Sequence, residues 1–185
     1  MSENIDDLGD YEKRILSAYY GLCPDCNQPK TDKSWCRNCN SKRFQQDFDK
    51  WTSGNKHIDK FIQDAQLKAR CFEEFIEWIP YNRLRNIQFL AQGGFSTIYE
   101  AILLDGYIFC WDYKVKKWKR TFISLSNEDY KNAKKQTVIS PLDENEKNGK
   151  HVVLKCLESS SNLDEEFLNE VNYFYYNDLK PVVIL

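Results

Sequence analysis

The spacing of apolar positions changes along this chain, and the changes mark its elements. Phe44, Phe48 and Trp51 recur at i, i+4, i+7 and predict the apolar stripe of one helix. Gly54 fits the stop of that helix and Asn55 the N-cap of the next, which places Ile58, Phe61, Ile62 and Ala65 on one face. The two stripes predict a helical hairpin over residues 43–74, and plain packing accounts for them. From Phe75 the helical period is lost, and Pro80 breaks the pattern. Ile87–Gln92 and Ser96–Ala101 read as short strands around a Gly93-Gly94 turn. Asp105-Gly106, between Leu103-Leu104 and Tyr107-Ile108, predicts a two-residue hairpin turn. The polar stretch 126–150 reads as a surface loop, His151–Leu157 as a strand, and Asn162 to about Tyr176 as a helix. Residues 1–20 are expected to be mobile, with a helical patch from Tyr11 to Tyr20. The final Val182–Leu185 is apolar and uncharged, and reads as an aggregation-prone tail.

Composition narrows the functional classes. The chain has 185 residues, 42% of them hydrophobic and 15% aromatic, enough to build a core. Lys and Arg number 26 against 28 Asp and Glu, a formal net charge of -2. That balance argues against a dominant nucleic-acid or membrane surface, both of which call for excess positive charge. Lys30, Lys33, Arg37, Lys42 and Arg43 are diluted by nearby acids, so nucleic-acid binding ranks last. The first twenty residues are acidic and polar, unlike a signal peptide, and no apolar run reaches the ~18–20 residues of a membrane helix. A non-secreted protein of the cytoplasm or nucleus is expected.

Of the seven cysteines, four form two tight pairs, Cys23-x2-Cys26 and Cys36-x2-Cys39, while Cys71, Cys110 and Cys156 stand alone. Two residues between cysteines allow a tight turn to aim two thiolates at one point, and two such turns supply a tetrahedral zinc site. A metal also suits residues 21–42, which hold too little apolar surface to fold by burial alone. Disulfides or four coincidentally paired thiols are the alternatives, and four thiolates also suit iron, although zinc is the default for a structural site. The odd cysteine count and the absence of secretory signs favour a structural zinc knuckle. Four protein sulfurs leave no open position for a catalytic water.

Three further signals are weak singly. The glycine turn of Leu90–Tyr99 lies between two strands, where backbone N–H groups can approach phosphates closely, although most such pairs are only turns. In Val152-Val-Leu-Lys155, alternation puts Val153, Lys155 and Leu157 on one strand face and Val152, Leu154 and Cys156 on the other. A lysine in an apolar strand requires an anion or a route to solvent. In the last helix, Asn162 and Glu165 form a capping-box-like start, and Leu163, Phe167, Glu170 and Phe174 share one stripe. Glu170 therefore needs a cation, and Lys155 is the candidate.

In this order the three signals resemble the N-lobe of a eukaryotic-type protein kinase. Leu90-Ala-x-Gly-x-Phe-Ser-x-Ile-Tyr-x-Ala101 is similar to the glycine-rich loop, with Ala91 and Ser96 at the first and third glycine positions. Val152-Val-Leu-Lys155 resembles V-A-I-K, and Phe167-Leu-Asn-Glu-Val171 resembles the helix αC segment. The cysteine pairs, Trp51-Thr-Ser-Gly-Asn55 and Glu77-Trp-Ile-Pro-Tyr81 also resemble an expanded fungal kinase family with an N-terminal zinc-knuckle module. The resemblance covers residues 21–171.

The resemblance implies an α+β chain. A mobile N-terminus (1–20), a zinc-knuckle module (21–42) and a helical hairpin (43–74) precede a partial kinase-like N-lobe (75–185) with an insertion at about 102–151. It implies that Gly93, Gly94 and Phe95 cover the phosphates of ATP-Mg and that Lys155 contacts the α- and β-phosphates. Glu170 would orient Lys155, and Leu90, Ile98 and Val153 would line the adenine. Ala91 and Ser96 stiffen the loop, and Val153 is bulkier than the usual alanine. The aromatic and basic run Trp111–Trp118 is expected to form an inserted hairpin packed on the lobe. Neither H-R-D-x-x-x-x-N nor D-F-G occurs, so no catalytic residue is assigned. The expectation is a kinase truncated before its catalytic lobe, which binds ATP without transferring phosphate. The alternative is a non-catalytic module whose zinc knuckle binds a protein partner beside a remnant lobe.

Overall fold

The computed structural model describes residues 9–93, 96–157 and 182–184. The architecture is α+β, combining helices with a largely antiparallel sheet. The elements run α1 (Asp10–Tyr20), α2 (Arg37–Gln45), α3 (Lys56–Lys68), β1 (Leu84–Gln92), β2 (Ser96–Leu104), β3 (Tyr107–Asp112), β4 (Lys117–Thr121), β5 (Ile123–Ser124), α4 (Asn127–Asn132), β6 (Asn148–Leu157) and β7 (Val182–Ile184). Two compact units result. Residues up to Trp78 join Ile108–Lys119 in one, and Ile79–Tyr107 joins the chain from Arg120 in the other.

The first unit is built around Trp35, which is only 1% exposed. Trp35 packs with Phe44, Ala69, Phe75 and Ile108, and its indole N–H donates to the Ala69 carbonyl at 3.0 Å. Helices α2 and α3 pack on each other. Asn55 caps α3, its side-chain oxygen accepting from the His57 and Ile58 amides. The predicted first helix is shorter than its apolar period suggests. It stops at Gln45, Phe48–Lys50 forms a separate 3-10 turn, and Trp51 is extended. Trp51 then stacks on Trp78 at 5.5 Å. Gly54 is not a helix stop, since it turns with φ +82 within the segment that Asp59 anchors through Ser53 and Thr52.

The hairpin β3–β4 contributes the rest of this core. Trp118 stacks on Phe44 with centroids 4.6 Å apart and planes 1° from parallel, and lies 6.0 Å from Trp35. The aromatic hairpin expected on the lobe thus finds its ring partners in the cysteine-bearing unit. Asp105 and Gly106 do form a tight turn, at φ +60 and +62. They do not pair β2 with β3, because β1 and β6 already occupy both edges of β2, and β3 pairs with β4 instead.

In the second unit the sheet order is β1-β2-β6-β5, with β7 also on β6. Ile79, Leu84, Ile87, Ala101, Leu103, Val152 and Leu154 form its core. The stretch read as a surface loop is more ordered than its polarity suggests. Ser126 and Asp129 make a reciprocal capping box that starts α4, Ile139 bridges to Ile87, and β6 begins at Asn148. Asn86 joins these pieces: its amide donates to the Asp129 carbonyl at 2.7 Å and its oxygen accepts from the Leu142 amide at 2.9 Å. Val182–Ile184, within the apolar tail, forms β7 and pairs in parallel with Val153–Lys155. Residues 158–181, between the two strands, exceed the roughly dozen residues that a parallel connection requires.

A candidate metal centre and a lysine-bearing sheet face

Two local structures deliver the four cysteines. Cys23 and Cys26 lie in a turn closed by the Leu22–Pro29 bridge, with Asn27 at φ +55 and its amide donating to the Cys23 carbonyl at 2.9 Å. Cys36 caps α2, and Cys39 follows in the first helical turn. The four sulfurs lie within 4.8 Å of one another, with Cys23–Cys39 at 3.8 Å and Cys26–Cys36 at 3.7 Å. A tetrahedron with metal–sulfur arms of about 2.3 Å has edges of about 3.8 Å.

The surroundings act differently on the individual thiols. Backbone amides of Asp25 and Cys26 donate to Cys23, and that of Cys39 donates to Cys36. Burial pushes the Cys23 thiol up, but these amides and the Tyr113 hydroxyl outweigh it and bring the group down to about 7. Burial raises Cys36, and it pushes Cys39 up to about 12 with help from the neighbouring sulfurs. Four such groups cannot ionise side by side without a cation, and a dication removes that conflict. Cys23, Cys26, Cys36 and Cys39 are therefore positioned to hold a metal ion, and the all-sulfur set fits structural zinc. Cys71, Cys110 and Cys156 take no part in the cluster.

Sequence reasoning did not find the groups around this centre. Tyr113 donates its hydroxyl to the Cys23 sulfur at 3.6 Å. Asp25 pairs with Lys116 at 2.6 Å and with Arg43, and the lysine ammonium, foremost, holds its carboxyl below the usual range. The Arg43 guanidinium also donates to Asn40 at 2.7 Å and stacks 4.1 Å over the Trp111 ring. The only sequence signal was the aromatic and basic character of the Trp111–Trp118 run.

The second candidate site is a face of the sheet. Ile98 on β2 is the direct partner of Lys155 on β6, and Glu100 is the partner of Val153. Opposed residues of antiparallel strands project to the same side. Val152 and Leu154 point into the core, so Ile98, Glu100, Val153 and Lys155 share the opposite face, with Glu100 exposed and the other three partly buried. Leu90 falls at an irregularity of the β1–β2 ladder and is 55% exposed. Gly93 follows the end of β1 and is exposed. Gly94, Phe95, Glu170 and the helix expected from Asn162 lie outside the described residues.

Among the described residues no helix is long and apolar enough to cross a membrane. No family model, curated protein or solved structure matches this chain.

Proposed function

We propose that the second unit is an ATP-binding sheet of protein-kinase type and that the first is a zinc-stabilised unit joined to it. The observation that carries this reading is the pairing of Ile98 with Lys155 near the glycine turn. Lys155 lies two residues from the Ser96–Leu157 pair at the start of β2, about 7 Å along the strand. A lysine side chain spans that distance, so its ammonium can reach a phosphate cradled by the Gly93 turn. Ile98 and Val153 offer apolar surface beside it for a base. In this reading Gly93, Gly94 and Phe95 cover the phosphates, Leu90 flanks the base, and Glu170 holds Lys155 in place. This reading assigns nucleotide binding to the 185 residues and no catalytic residue among them.

Thermal stability with and without Mg-ATP tests the reading. Stabilisation of the wild type that is lost in Lys155→Met is expected. No stabilisation, or equal stabilisation of the variant, overturns it.

One observation favours a second reading, a protein-interaction role for the zinc-bearing unit. Tyr11, Ile15 and Tyr19 fall at i, i+4, i+8 on α1, and the two tyrosines are 76% and 82% exposed. A partner bound through this unit would be lost both on metal removal and in a Tyr11→Ser/Tyr19→Ser variant. Failure of either change to weaken capture removes this reading.

A further inference from the structure

The turn between β3 and β4 meets the cysteine cluster at defined points. Tyr113 lies 90 positions from Cys23, yet its hydroxyl donates to that sulfur. The turn that presents it is held by Asp112, which accepts from the Lys114 and Val115 amides at 2.8 and 3.2 Å and pairs with Lys119 at 3.2 Å. Lys116, at φ +52, turns its ammonium onto Asp25, one of the two residues between the first two cysteines. On the other side of Asp25, Arg43 stacks on Trp111 of β3. A hydroxyl on the cysteine sulfur, an ammonium on Asp25 and a guanidinium on Trp111 thus bind hairpin and knuckle together.

The first of these contacts depends on the state of the sulfur. A phenol donating to a neutral thiol makes a weak hydrogen bond, whereas donation to a metal-bound thiolate is charge-assisted and stronger. We propose that Tyr113 is a positioning residue of the metal centre: its hydroxyl holds the metal-bound Cys23 sulfur, and metal occupancy in turn holds the β3–β4 turn on the knuckle. The inference rests on the four cysteines holding a metal and is independent of the nucleotide reading. The coupling is reciprocal, so a hairpin tightened by the metal tightens the metal by the same factor.

Cobalt(II) loaded into the full chain is the probe, compared in wild type, Tyr113→Phe and Lys114→Met. Lys114 belongs to the same turn, but its exposed side chain has no part in the contact. The wild type should give the absorption bands of a tetrahedral thiolate site. Tyr113→Phe should move the sulfur-to-cobalt charge-transfer bands to lower energy and release metal to a chelator about tenfold faster, as loss of an outer-shell partner does. Lys114→Met should match the wild type. On zinc-loaded wild type, tryptic cleavage after Lys114, Lys116 and Lys117 should be slow, and chelation should speed it. That measurement decides the matter should Tyr113→Phe not fold. Wild-type bands and a release rate within twofold in Tyr113→Phe overturn the role of Tyr113. Equal cleavage with and without zinc overturns the coupling. Absence of tetrahedral cobalt bands in the wild type overturns the metal centre itself.

Discussion

Ile98 and Lys155 oppose each other across β2 and β6, on the face of the sheet turned away from Leu103, Val152 and Leu154. The pairing puts an ammonium and an apolar side chain side by side, next to the Gln92–Thr97 pair that ends the β1–β2 ladder. Glu100, opposite Val153, lies on the same face as the lysine. In the proposed nucleotide reading this lysine meets a phosphate.

Lys155→Met should therefore weaken Mg-ATP binding at least tenfold, about 1.4 kcal/mol, and leave unfolding without nucleotide nearly unchanged. Equilibrium binding of a fluorescent ATP analogue, competed with ATP, measures the first. Urea unfolding measures the second. Unaltered affinity in the variant would remove Lys155 from the site.

Metal binding should be strongly pH-dependent, with a definite sign. In the metal-free cluster Cys39 is raised to about 12 and Cys36 is raised as well, while Cys23 lies at about 7. Cys36 and Cys39 hold their protons through neutral pH, and a metal must displace them. Apparent zinc affinity should thus rise with pH and fall steeply on acidification, the slope reporting the protons released. Competition with a metallochromic chelator between pH 6 and 8 gives that slope. The wild type should carry one zinc per chain, and Cys39→Ser should carry far less. A flat pH profile is incompatible with thiol ligands.

Gly106 should not tolerate a side chain. Its φ is +62, and a Cβ there would lie 1.7 Å from the Thr121 carbonyl oxygen and 2.6 Å from its carbon. Those are backbone atoms, with no rotamer to relieve the clash. The Gly106 carbonyl also receives Arg83 and Arg120, each at 2.9 Å, so displacing the turn breaks two charge-assisted bonds. Gly106→Ala should cost at least about 3 kcal/mol. Asp105→Asn, at φ +60, should change stability by less than about 0.5 kcal/mol. Urea midpoints for the pair check both numbers, and a Gly106→Ala cost below about 1 kcal/mol would contradict the geometry.

What the sequence disclosed was local. The cysteine spacing, the Asn55 cap and the Asp105-Gly106 turn are short-range patterns, and each appears in the structure. The helix expected through Trp51 was overextended because packing, and not helical phase, brings Phe48 and Trp51 to their partners. The capping box of Ser126 and Asp129 is also a local signal, but the polarity of its surroundings outweighs it in a linear reading. The environment of the metal centre was out of reach for a different reason. Tyr113, Lys116 and Trp118 meet the knuckle across a long sequence separation, which no spacing rule encodes. The same limit applies to the ladder: a turn signal shows that the chain reverses, not that the edge beside it is free.

Trp118 gives the sharpest test of that long-range assembly. It lies parallel on Phe44 at 4.6 Å and meets Trp111 edge-on at 5.1 Å, while Phe44 stacks at 4.4 Å on Phe75. Removing the indole takes the outer ring from a stack whose inner members surround Trp35, so the loss includes both apolar burial and ring–ring attraction. Trp118→Ala should cost about 3 kcal/mol, and Trp118→Phe, which keeps a ring on Phe44, distinctly less. Because Trp118 and Tyr113 belong to one hairpin, the alanine variant should also release metal faster. Its loss of stability should then shrink when wild type and variant are compared without metal, since both hairpins are by then weakly held. Thermal unfolding of the two proteins with zinc and with chelator measures all four states. A cost identical in both conditions would mean that the ring stack and the metal centre stabilise the unit independently.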